Sequence, residues 1–147
     1  MEKEFRITID APREKVWAAL WTDATYRQWT APFGEGSRVK TDWKKGSKVL
    51  FLGNEDSGMV STITDNRPNE YMSFQHQGII NKGVEDLDSE EAKKWATASE
   101  DYTLRTINQR TELIVHLRGD IPQDFVDYFM NAWPKALEKL KEIAEKN

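Results

Sequence analysis

Three side chains in this sequence could move a proton or orient a polar ligand, and all three fall on strand-like patterns. His76 closes the run Tyr71-Met72-Ser73-Phe74-Gln75-His76. With successive side chains on opposite faces, Met72, Phe74 and His76 share one side, and Tyr71, Ser73 and Gln75 share the other. Glu100 opens the run Glu100-Asp101-Tyr102-Thr103-Leu104, where Glu100, Tyr102 and Leu104 share a face. If the apolar members face a core, then an imidazole, a carboxyl and a phenol face it too. A buried charge is costly without a partner. The group therefore reads as the polar end of a ligand site, as an acid–base group, or as a structural hydrogen-bond cluster.

Other chemistry finds little support. His116 alternates with Leu113, Val115 and Leu117, so it faces solvent and takes no role. Two histidines on separate strands and no cysteine make no zinc site. Glu85-Asp86-Leu87-Asp88 lacks the spacing of a calcium loop and reads as a solvated acidic stretch before a helix. There is no phosphate-binding glycine loop and no Gly-x-Ser-x-Gly elbow. No catalytic residue, metal or cofactor is expected.

The elements that must position these residues can be read in order. Phe5, Ile7 and Ile9 alternate with Arg6 and Thr8, a half-buried strand. Ala-Pro-Arg-Glu follows, with Pro12 suited to a first helical position and Glu14 to the N3 position. Val16, Trp17, Leu20 and Trp21 then keep helical spacing. A second short helix restarts at Thr22 or Asp23 and carries Tyr26 and Trp29. Period-two strands are expected near Arg38–Trp43, Lys48–Leu52, Gly58–Asn66 and Glu70–Gln77. Two more are expected near Ala98–Ile107 and Glu112–Arg118, joined by Asn108-Gln109-Arg110. Residues 78–94 are the least regular, apart from a short helix ending near Trp95.

A long helix spans roughly Pro122 to Glu145. Its stripe of Phe125, Phe129, Trp133, Leu137 and Leu140 is widened by Val126 and Met130. Pro134 predicts a kink near Met130–Trp133. The order implies an α+β fold, an antiparallel sheet whose apolar face closes on that helix.

Composition bounds the functions. The chain has 147 residues, 38% hydrophobic and 31% charged, which fits one domain over residues 1–147. A net charge of -4 with no basic run argues against nucleic acid. No stretch is long and apolar enough to span a membrane, and the absence of cysteine suits a cytoplasmic location.

Ile9-Asp-Ala-Pro-Arg-Glu-Lys-Val-Trp-Ala-Ala-Leu20 resembles the opening signature of the START-like (SRPBCC) superfamily, and within it the family of activators of the heat-shock chaperone ATPase, the Aha-type domains. Four further stretches agree with that family. They are Thr22-Asp23 with Trp29, Asp42 with Gly46, Gly58-Met-Val60 with Arg67-Pro-Asn-Glu-Tyr-Met-Ser-Phe74, and Thr111-Glu-Leu113 with Trp133, Leu137 and Leu140. The chain departs in having Ala132 where the family carries glycine before the tryptophan, and in the length of residues 78–95.

The resemblance implies a helix-grip fold. A curved antiparallel sheet of about six or seven strands wraps the C-terminal helix, two short helices follow strand 1, and a cavity lies between sheet and helix. On this reading the cavity binds a small hydrophobic or lipid-like molecule without catalysis, in a monomer or dimer. Phe51, Met72, Phe74, His76, Glu100 and Tyr102 form the sheet side. Phe125, Phe129, Met130 and Trp133 form the helix side. Trp17 and Trp29 close one end, and residues 78–95 act as a lid. The alternatives are a chaperone-activator interaction module, favoured by an exposed aromatic patch at Trp43 or Trp95, and a cyclase- or hydrolase-type enzyme. The enzyme needs His76 and Glu100 on one side of the sheet.

Overall fold

Turn chemistry sets the hairpins from which the sheet is built. The computed structural model describes residues 1–146. Asn108 and Gln109 both take positive φ (51° and 68°), the two-residue turn whose twist matches paired strands. They join β7 (Ser99–Ile107) to β8 (Arg110–Arg118). Pro68 and Asn69 (φ 68°) turn β4 (Gly58–Arg67) into β5 (Tyr71–Asn81).

The remaining strands are β1 (Glu2–Ile9), β2 (Arg38–Lys40), β3 (Lys48–Leu52) and β6 (Val84–Asp86). They form one eight-stranded antiparallel sheet in the order β1-β8-β7-β5-β4-β3-β2, with β6 paired to β5. The helices are α1 (Arg13–Trp21), α2 (Asp23–Trp29), α3 (Glu90–Trp95) and α4 (Gln123–Lys146), with a 3-10 turn at Ala31–Phe33. The helix-grip architecture is therefore present.

Three boundaries differ from the sequence reading. First, β5 runs four residues past Gln77, to Asn81, and folds back through Lys82 and Gly83 (φ 49° and 84°) into β6. Residues 78–86 are thus mostly sheet, which accounts for the eighth strand. Gly78 hides this by breaking the alternation, yet a side chain there would meet the Asp86 carbonyl oxygen at 2.4 Å. Second, β2 is only three residues long, and Trp43, which lies outside it, takes a positive φ. Third, Pro12 lies just outside α1, and its carbonyl accepts from Lys15 and Val16.

Helix α4 continues through Pro134 and lays Val126, Trp133, Leu137, Leu140 and Ala144 into the core. Phe5 of β1 stacks on Trp133 at 6.0 Å. Facing the helix are Met72, Phe74, Tyr102, Leu104, Leu113 and Val115 from the sheet, and Val16 and Leu20 from α1. Irregularities between Val60 and Ser61, and between Ile63 and Asp65, bend β4 against β5, the usual source of curvature in such a sheet. Gly58 lets β4 start tight against β3, because a Cβ there would fall 1.9 Å from the Phe51 carbonyl oxygen.

Candidate functional site

Between the concave face of the sheet, α2 with its following turn, and the first half of α4 lies a cavity of about 410 Å³. The sheet contributes Phe51, His76, Glu100 and Tyr102. The segment from α2 contributes Tyr26, Trp29 and Phe33, and α4 contributes Phe129 and Trp133. The rings touch one another around the space. Phe33 meets Trp133 edge-on at 5.0 Å, Tyr26 meets Trp29 at 5.4 Å, and Tyr102 lies 6.1 Å from Trp133. Such walls are rigid and apolar, and a few polar groups within them decide how a ligand sits.

His76 is placed by a local irregularity. The extra residue is Gln77 of β5, which lies between the Val60–Gly78 and Ser61–His76 pairs, so His76 meets Ser61, a residue that faces inward with Met59 and Ile63 by the ordinary alternation of β4. The Ser61 hydroxyl and His76 Nδ1 lie 2.6 Å apart. Ser61 is fully buried, and this is its one side-chain hydrogen bond among the described residues. Its proton needs an acceptor, so Ser61 donates to Nδ1 and the ring proton is assigned to Nε2. Burial pulls the imidazole down to about 4, which keeps it neutral at physiological pH. His76 therefore offers the cavity a neutral N–H donor.

Glu100 sits directly opposite Phe74 on the neighbouring strand, while the His76 amide bonds to the Ala98 carbonyl. His76 and Glu100 thus face the same side of the sheet as diagonal neighbours. The Tyr102 hydroxyl donates to Glu100 Oε2 at 2.6 Å. Burial is the main cause raising the carboxyl to about 7, and that hydrogen bond offsets only part of it. Burial, with Glu100 nearby, also raises the Tyr26 phenol, so both tyrosines stay protonated.

Six residues expected from sequence at the cavity line it: Phe51, His76, Glu100, Tyr102, Phe129 and Trp133. Four do not. Met72 and Phe74 are fully buried behind the wall, with Phe74 enclosed by Trp21, Phe51 and Tyr102 at 5.6, 5.0 and 6.1 Å. Phe125 is 38% exposed and packs on the edge of Trp95. Met130 is 42% exposed, because one residue beyond Phe129 the helix has turned by about 100°.

Sequence reasoning left out Tyr26, Phe33 and Trp95 as lining residues. The spacing of Tyr26 and Trp29, three apart on α2, is the signal that could have found the first. Of the two tryptophans expected at one end, Trp29 lines the cavity, and Trp17 packs instead on Trp21 at 6.1 Å. The aromatic patch that an interaction module would use is absent at the expected places. Trp95 is 5% exposed, and Trp43 leans on Trp21 at 5.3 Å.

A curved sheet closed on a long helix around an aromatic cavity defines a helix-grip protein of the START-like class. The chain belongs to the family described as Activator of Hsp90 ATPase homolog 1-like protein, whose profile matches residues 10–145. It is similar to the solution structure of the Aha1 dimer from Colwellia psychrerythraea, with 22% identity and a TM-score of 0.75 over 99% of this chain and 96% of that one. It is also similar to a crystal structure from Mesorhizobium loti, with 17% identity and a TM-score of 0.76 over 100% and 98%. A protein from Chromobacterium violaceum gives 17% identity and a TM-score of 0.69 over 99% and 98%. At these identities the likeness is one of fold. No curated protein matches the chain. Among the described residues, no helix is long and apolar enough to cross a membrane.

Proposed function

We propose that this protein binds one small, largely apolar molecule in the cavity between sheet and C-terminal helix, without catalysing its conversion. The observation that carries this reading is a space of about 410 Å³ walled by aromatic rings, into which His76, Glu100 and Tyr26 bring a few polar groups. Covering about 200 Å² of apolar ligand surface contributes about 5 kcal/mol. That is comparable with the cost of immobilising the ligand. The polar groups therefore decide orientation and selectivity. The absence of cysteine suits the reducing cytoplasm as the place where this binding occurs.

Filling the void tests the reading. Phe129 is a half-buried wall residue beside Phe33 and Trp95. Phe129→Trp adds a ring toward the cavity. It is expected to weaken binding of phenylbutanol, a flexible aromatic alcohol, by about tenfold, while the melting temperature stays within about 5 °C. Calorimetric titration of both proteins makes the comparison. Equal affinity in a folded variant would place the binding elsewhere.

A further inference from the structure

Glu100 is a carboxyl group held inside an aromatic wall without a counter-ion. Its single side-chain hydrogen bond comes from the Tyr102 hydroxyl, 2.6 Å away. Two cationic groups belong to residues that line the same cavity, and each is committed elsewhere. Arg118 of β8 reaches the Asp101 carboxylate on the far side of β7 at 3.5 Å, and the N-terminal amine of Met1 donates to the Gly119 carbonyl at 2.9 Å. His76 of β5 is neutral, and its Nδ1 is taken by Ser61. Glu35, the other acid among the lining residues, is exposed. Tyr26 of α2 is 6% exposed, and its hydroxyl has no hydrogen-bond partner among the described residues. Trp29 and Trp133 stand beside the two tyrosines, ring to ring.

A carboxyl group with no cation, an unpartnered phenol oxygen and a surround of electron-rich ring faces together form a receptor for positive charge. A protonated amine supplies the charge that Glu100 lacks and donors for both oxygens, and it is attracted by the ring faces. An alcohol of the same shape satisfies one hydrogen bond and leaves the charge unpaired. An anion would be repelled.

We infer that the ligand is a small aromatic or alkyl amine bound as its ammonium ion, with the charged end against the Glu100 carboxylate and the Tyr26 hydroxyl and the apolar body toward Phe33, Phe129 and Trp133. This rests on the cavity-binding reading above and specifies its ligand class. Binding draws the proton off Glu100, so the complex forms with proton release around neutral pH.

Titration of the full chain with phenylbutylamine and phenylbutanol, which share a carbon skeleton, separates the two ideas. Above about pH 8 the carboxyl is ionised and the amine still charged, and the amine is expected to bind about tenfold tighter than the alcohol. The advantage disappears near pH 5, as Glu100 takes up its proton. Near pH 7 the heat of amine binding depends on the ionisation heat of the buffer. Glu100→Gln removes the preference for the amine, since the amide still accepts from Tyr102 but carries no charge to pair. If the alcohol binds as well as the amine at high pH, the amine inference fails and the cavity reading stands. Should neither probe bind, both fall. An amine preference that survives in Glu100→Gln assigns the attraction to the overall negative charge and overturns the inference.

Discussion

Trp29→Ala is expected to lower the unfolding free energy by about 3–5 kcal/mol, the range for emptying a fully buried large aromatic site. The residue carries three loads at once. Its ring is 1% exposed and packs against Tyr26 and Trp133. Its indole N–H donates to the Leu20 carbonyl at 3.0 Å, one of the last-turn carbonyls of α1 that have no partner within their own helix. It also forms part of the cavity wall, so the gap left by alanine merges with existing space and collapses poorly. Trp17→Ala supplies the comparison. That tryptophan is half-buried against the edge of Trp21, and its loss is expected to cost about 1–2 kcal/mol. Urea unfolding of the two variants measures the difference. A cost for Trp29→Ala no greater than that for Trp17→Ala would remove Trp29 as the pin holding α2 onto α4.

Glu100→Gln is expected to stabilise the protein above pH 8 by about 2–3 kcal/mol and to leave it unchanged at pH 4. The carboxyl titrates at about 7 in the fold, against the reference 4.5. Below about pH 4.5 it is protonated in both folded and unfolded chains and costs nothing. Between 4.5 and 7 the folded chain holds the proton and the unfolded chain releases it, so stability falls as pH rises. Above 7 the full cost of a buried, unpaired charge is present. His76 has the opposite sign. Its imidazole is drawn down from 6.5 to about 4, so folding loses stability as pH falls through that interval. The two intervals overlap, so in the wild type the opposing slopes largely offset each other. In Glu100→Gln only the His76 dependence remains, so the variant gains stability over the wild type as pH rises from 4.5 to 7, a difference that thermal unfolding across pH can read directly. A difference that stays constant across pH would mean that the carboxyl is solvated or paired. A group that lowers stability yet occupies the cavity wall is the kind of feature kept for binding rather than for folding.

Local periodicity made much of this architecture legible. The alternation of Met72, Phe74 and His76 told which face of β5 turns inward, and Asn108-Gln109 marked the β7–β8 hairpin. The acidic run before Ala92 marked α3, where the Ser89 hydroxyl accepts from the Ala92 amide at 3.1 Å. Alternation does not report depth. Met72 and Phe74 share a face with His76, but other rings cover them, and only the last of the three reaches the cavity. A broad apolar stripe likewise does not tell Phe129 from Met130, because that distinction depends on how α4 is rotated against the sheet. Tyr26 and Phe33 lie on elements of seven and three residues. Elements so short have no face of their own until tertiary contacts orient them. The pairing of Ser61 with His76 depends on the extra residue Gln77 in β5, and such a bulge shifts the register by one residue without changing the composition of the strand.

A native mass spectrum of the protein purified gently from its own cells tests the central claim most directly. The account predicts a folded species heavier than the polypeptide by the mass of one small molecule, lost on denaturation and diminished in Phe129→Trp. A folded protein at the bare polypeptide mass that also takes up neither phenylbutylamine nor phenylbutanol in the same measurement would contradict it.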